Sequence, residues 1–188
     1  AALFGGPIGM RAYLYAIDTI GAGYTASISA LYPVVAAVLG AIILKDYLTP
    51  KGWFGLILSV LAITMLGYSQ LNSLNSNAFW GFTAACICAG GWAAESVICA
   101  YGMKEDVLPK EALFIRQWVS SIAYFFFIIF GGHPLFNIYS VISRPIIIII
   151  AGLALIGTTS YLYYYQAIDM IGPVKATGMN VTYSVWAI

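Results

Sequence analysis

The sequence predicts an all-α integral membrane protein, and three observations carry that prediction. Of its 188 residues, 62% are hydrophobic and 8% charged, against about 25% charged in an ordinary soluble domain. The apolar residues gather into seven runs, 1–17, 24–44, 52–69, 78–101, 112–131, 145–168 and 174–188, and a bilayer-spanning helix needs about 20 such residues. One stretch is also nearly written twice. Residues 6–36 and 157–187 share Gly6/Gly157, Tyr13/Tyr164, Ala16/Ala167, Ile17/Ile168, Asp18/Asp169, Ile20/Ile171, Gly21/Gly172, Tyr32/Tyr183, Val34/Val185 and Ala36/Ala187, 10 of 31 aligned positions. A long-period repeat constrains the fold before any single motif does.

Each run is bounded by breakers and polar residues. Asp18 to Gly23 closes the first, Lys45 to Lys51 the second, Gln70 to Asn77 the third, Lys104 to Lys110 the fourth, Gly132 to Arg144 the fifth and Asp169 to Pro173 the sixth. Such clusters of Gly, Pro, Asn and Asp favour turns. Pro33 lies inside the second run, where the missing N–H kinks a helix. The first and last runs read as helices cut short, since Ala1 and Ile188 fall inside apolar sequence, and no signal peptide is recognisable.

Basic residues orient the bundle. Lys45, Lys51, Lys104, Lys110, Arg116 and Lys175 fall on one set of alternate connections, and Arg144, with Arg11 at most, on the other. The positive-inside rule makes loops 45–51, 104–110 and 169–173 cytoplasmic. Five runs separate the first repeat copy from the second. An odd number inverts the topology, and inverted repeats are a hallmark of secondary transporters, whose substrate sits at the repeat interface. The period of 151 residues then places a boundary near Asn77. Residues 1–70 are the last three helices of a first five-helix half, 71–77 an external linker, and 78–188 the first four helices of a second half. The implied parent has ten helices (5+5), of which seven remain, and the seven alone are not expected to transport.

The same residues resemble EamA-type members of the drug/metabolite transporter superfamily. The resemblance rests on Gly5-Gly-Pro-Ile-Gly-Met10, on Tyr24-Thr-Ala-Ser-Ile-Ser-Ala-Leu-Tyr-Pro33, and on Leu44-Lys-Asp-Tyr-Leu-Thr-Pro50 leading to Gly52-Trp-Phe-Gly55. Tyr164 to Trp186 repeats the pattern more loosely, with Ser184 where Pro33 stands. The resemblance implies a ten-helix inverted-repeat fold in a prokaryotic plasma membrane. It also implies alternating-access transport of small metabolites, commonly amino-acid export.

Candidate functional residues are the polar ones that lipid does not explain. Glu95 sits about 9 Å inside its span at 1.5 Å per residue, where a carboxylate costs about 2.5–3.5 kcal/mol on insertion scales. It shares a helical arc with Gly81, Ala84, Cys88, Trp92 and Cys99. Its readings are proton coupling, recognition of a substrate amine, or a structural ion pair with Arg116. Arg11, about 9 Å inside the outer end of its helix, either snorkels to the interface or meets an anionic group such as a substrate carboxylate. Thr177, Asn180 and Ser184 form a stripe that either bonds helices together or lines a polar path. Ser29 and Tyr32, in the Tyr24–Pro33 motif, complete the substrate or coupling candidates. Tyr161, Tyr163, Tyr164 and Tyr165, with Trp53 and Trp80, suit interfacial belts, substrate stacking being the lesser reading.

Other classes find little support. The net charge of +1 gives no reason to expect nucleic acid. Cys86, Cys88 and Cys99 lie in one apolar run and read as small buried hydrophobes, with no disulfide framework or metal pair. Lys175 sits at a cytoplasmic helix start, too shallow for a retinal Schiff base. His133 is the lone histidine, and no nucleophile–base set or phosphate loop accompanies it. No enzyme, metal site or cofactor is expected. The expected partners are the bilayer and a small-molecule substrate, with proton coupling as one of the readings of Glu95. The alternative is a seven-helix receptor or non-transporting scaffold, which has no reason to repeat itself upside down.

Overall fold

The computed structural model describes residues 1–68, 78–130 and 146–182. Every regular element among them is helical: a π-helical turn Phe4–Ile8, then α1 (Gly9–Ile20), α2 (Ala22–Ser29), α3 (Tyr32–Ile43), α4 (Pro50–Tyr68), α5 (Ala78–Lys104), α6 (Pro109–Phe130), α7 (Ile146–Ile171) and α8 (Pro173–Asn180). Among the described residues four stretches have the length and apolar character of a span: Ala22–Ile43, Ala78–Lys104, Pro109–Phe130 and Ile147–Ile171. The helix that ends at Ile20 carries both Arg11 and Asp18, and Pro50–Ala62 is a shorter apolar helix.

α5 is the axis of the bundle. It buries residues on nearly all sides, including Gly81, Ala84, Ala85, Cys88, Ala89, Gly91, Ala93 and Val97, as a helix apolar all round should when it sits inside the protein. α1 and the π-helical turn pack against it through glycine. A Cβ on Gly91 would fall on the Phe4 carbonyl, and one on Gly81 would lie 2.6 Å from Ile20. Alanines do the same for α3, where Ala30, Tyr32 and Ala36 meet Ala89, Ala93 and Val97. Small residues let helix backbones approach closely, which is how helices associate in a membrane without a hydrophobic driving force.

The outer helices show the opposite pattern. Ile148, Leu155 and Ile156 on α7 are 76%, 71% and 69% exposed, and Phe114, Trp118 and Phe130 face outward from α6. A surface of that kind matches lipid as its solvent. Several hydroxyls on the spans are satisfied within their own helix. Thr25 and Ser27 donate to the carbonyls of Gly21 and Gly23, each at 2.8 Å, and Thr159 to that of Leu155 at 2.9 Å.

Several sequence-based bounds shift. The run 24–44 is two helices, α2 and α3, broken at Ala30–Leu31 rather than merely kinked. Pro33 starts the second piece near its N-terminus, where its missing N–H costs nothing, and Leu31 bonds back three residues to Ile28. The fourth run extends to Lys104 and the sixth to Ile171. The last run is helical over Pro173–Asn180, and Ser184, Tyr183 and Trp186 lie outside the described residues, as do the connections 70–77 and 132–144. Arg116 is buried at 9% exposure, so it leaves the topology count, and that set of connections keeps five basic residues rather than six.

The repeat has a counterpart in the backbone. Gly21 and Gly172 occupy the same unusual conformation, φ 84°, ψ 161° and φ 83°, ψ 159°. Each donates its N–H to the carbonyl four residues back, Ile17 at 2.9 Å and Ile168 at 3.0 Å. Each also accepts from the residue four ahead, Thr25 at 3.2 Å and Ala176 at 3.1 Å.

Candidate functional site

A cavity of about 270 Å³ lies between α1, α3, α5, α7 and α8, lined by Met10, Tyr32, Trp92, Glu95, Ser160, Tyr161, Tyr164 and Asn180. Three of the lining residues, Ser160, Tyr161 and Tyr164, align in the repeat with Gly9, Met10 and Tyr13. Of that first set, Met10 also lines the cavity, Gly9 lets the α1 backbone lie against Trp92, and Tyr13 stacks on Trp92 at 5.4 Å.

Trp92 is fixed from three directions. Its indole N–H donates to the Gly5 carbonyl at 3.1 Å, Tyr13 packs on it, and Tyr32 meets it edge-on at 5.9 Å between centroids. The π-helical turn makes room for this. Pro7 has no N–H to return to the Ala2 carbonyl five residues earlier, and that carbonyl accepts from Ser120 Oγ at 3.3 Å instead. Such turns recur at functional sites. Tyr32 in turn bridges to α8, donating to the Thr177 carbonyl at 3.2 Å and accepting from Asn180 Nδ2 at 2.9 Å.

Glu95, 5% exposed, accepts through Oε1 from Arg116 Nε in an ion pair and from Tyr165 Oη at 2.8 Å. Cys99 Sγ lies 3.3 Å from the same Tyr165 hydroxyl as a donor. A Cβ on Gly5 would fall on the other carboxylate oxygen, so only glycine fits there. The Arg116 guanidinium also lies over the Tyr161 ring, 4.3 Å from its centroid. Three helices thus meet at one carboxylate oxygen, with the partner that the ion-pair reading of Glu95 required.

The remaining candidates separate. Glu95, Trp92, Tyr32 and Asn180 line the cavity. Arg11 does not: it is exposed on α1, with its guanidinium 4.9 Å from the Phe127 ring, because the face one residue on from Met10 points away from the bundle. Thr177 and Ser29 are fully buried away from the cavity, and their hydroxyls donate to Val174 at 2.9 Å and Ala26 at 3.1 Å. The tyrosine cluster is not a belt. Tyr161 and Tyr164 wall the cavity and Tyr165 is wholly buried, leaving Tyr163 outward with Trp53 and Trp80. Spacing held the signal: residues i, i+3 and i+4 share a helix face that i+2 does not. Among the described residues no group of three or more His, Cys, Asp or Glu gathers to hold a metal ion.

Apolar helices in a lipid-facing bundle, closed around an aromatic cavity and a paired intramembrane charge, define a multi-pass membrane protein with an internal cavity. Residues 1–68 match the model of the EamA-like transporter family. Protein LicB of Haemophilus influenzae is 36% identical over 186 residues, which cover 99% of this chain and 62% of LicB. The chain therefore spans less than two thirds of that relative's length.

Proposed function

We propose that the chain forms the substrate-binding part of a secondary transporter that moves small organic cations by alternating access. The observation that carries this reading is the cavity wall: Tyr32, Trp92, Tyr161 and Tyr164 with the Glu95 carboxylate, and, among the described residues, no basic side chain in the lining. Ring faces attract a cation, with about 2 kcal/mol or more per contact when water is excluded. A zwitterionic amino acid needs a cationic partner for its carboxylate, and Arg11, the residue suited to that role, faces outward. The reading is of a carrier rather than an enzyme, as the family match suggests.

The architecture is part of the proposal. Seven spans belong to a ten-helix, five-plus-five inverted repeat, with residues 1–70 and 78–188 contributing to opposite halves and 71–77 joining them outside. Support comes from the shared conformation of Gly21 and Gly172 and from repeat-related residues on both sides of the cavity. The setting is a prokaryotic plasma membrane with loops 45–51, 104–110 and 169–173 in the cytoplasm, and coupling is to protons through Glu95.

Cells expressing the complete gene product test the reading. Accumulation or extrusion of labelled tetramethylammonium should depend on expression and on a pH gradient, and fall roughly 10- to 30-fold in Tyr161→Leu, the equivalent of about 2 kcal/mol. Equal flux with and without expression rejects it.

A further inference from the structure

The intramembrane arginine is the part of the site that cation transport leaves unused. Arg116 is always charged, because its guanidinium does not lose its proton in proteins, and at 9% exposure it is buried on α6. It does not line the cavity, yet it engages two groups that do: the Glu95 carboxylate as an ion pair and the Tyr161 ring at 4.3 Å. One internal cation thus occupies both kinds of group, an anion and a ring, that a cationic substrate would use.

We propose that Arg116 is a resident competitor of the substrate and sets the specificity and affinity of the cavity: the guanidinium and a bound cation are alternative partners of Glu95. This rests on the organic-cation reading of the cavity. While Arg116 holds Glu95, the site carries no net charge and offers an entering cation only ring faces. The two like charges also repel within a water-poor interior, where screening is weak. The carboxylate is ready for either partner, because Tyr165 Oη at 2.8 Å and the close backbone of Gly5 hold it in place whether or not Arg116 stays. Arg116 is held otherwise by the Tyr161 side chain, a cavity wall that a bound cation would also use, and by Gln117 Oε1, next to it in sequence, at 3.5 Å, so a shift of α6 against α7 carries it away from Glu95 and Tyr161 together.

A purely structural ion pair makes a different prediction, and the sign of the effect separates the two. Tetramethylammonium is titrated calorimetrically into the purified full chain in lipid nanodiscs, as wild type, Arg116→Gln, Glu95→Gln and the double variant. Competition predicts tighter binding in Arg116→Gln, by about 10-fold, since the carboxylate loses its internal partner. It predicts weaker binding in Glu95→Gln, by about 10-fold or more, since Arg116 is left unopposed, and affinity within roughly threefold of wild type in the double variant. Should the lone carboxylate prevent Arg116→Gln from folding, the last two variants suffice: removing Arg116 from the Glu95→Gln background must restore affinity. Equal affinity in those two, or losses of the same sign in both single variants, overturns the competitor role while leaving the cation reading intact. Absence of binding to wild type overturns both.

Discussion

At Gly5 a single hydrogen atom in place of a methyl group decides whether the site exists. The Gly5 carbonyl receives the Trp92 indole N–H at 3.1 Å, and its α-carbon lies where a Cβ would fall on the Glu95 carboxylate. Gly5→Ala therefore displaces α5 from the π-helical turn or rotates Glu95 away from Arg116 and Tyr165. Gly91→Ala places a Cβ on the Phe4 carbonyl, part of a backbone that cannot swing aside. Each substitution should cost about 1–3 kcal/mol in the manner of overpacked cores, read as a lowered midpoint of thermal unfolding in detergent. Gly90→Ala, which meets nothing within 4 Å, should leave the midpoint unchanged or raise it. The sequence already singled out Glu95, because a carboxylate among alanine and cysteine has no lipid explanation. Arg11 seemed its equal by depth alone. Depth along a helix says nothing about the face, and Arg11 turns outward toward Phe127.

Elements were more legible than the surfaces they present. Hydropathy reports the length of an apolar helix directly, so α5, α6 and α7 fall within a few residues of their expected bounds. The interruption at Ala30–Leu31 was foreshadowed by Pro33, but a proline is tolerated at a helix start as well as in a kink, and only packing chose between them. The tyrosines of α7 were misread for a related reason. Tyrosine suits both a membrane interface and an aromatic cavity, and composition cannot separate them, whereas the offsets of 161, 164 and 165 against 163 do. Repetition was more informative. Gly21 and Gly172 share a conformation with φ near +84° that residues with a side chain rarely adopt. Gly21→Ala and Gly172→Ala should each destabilise the protein by about 1–3 kcal/mol. Because nothing lies within 4 Å of a Cβ at Gly21, its loss would be backbone strain alone. Similar shifts in unfolding midpoint would mark the two turns as one device used twice, and an unchanged Gly21→Ala would refute the strain argument.

At the scale of the whole molecule, the proposed inverted repeat would set the cavity between its two copies. Orientation is testable on its own. Lys45 and Lys110 lie on exposed connections or helix starts, and Ala22 is the exposed first residue of α2. With a membrane-impermeant maleimide on intact cells, Ala22→Cys should be labelled, while Lys45→Cys and Lys110→Cys should react only after permeabilisation. The reverse pattern would invert the topology and place Arg116 toward the other face. The central claim, that the aromatic cavity holds a small organic cation, is tested most directly by equilibrium titration of tetramethylammonium against wild type, Trp92→Phe and Trp92→Leu in nanodiscs. Saturable one-to-one binding should survive within a few-fold in Trp92→Phe, which keeps a ring face, weaken roughly 10- to 30-fold in Trp92→Leu, and resist competition by neutral tert-butanol. No saturable binding to wild type, or binding undiminished by the loss of the ring, would contradict it.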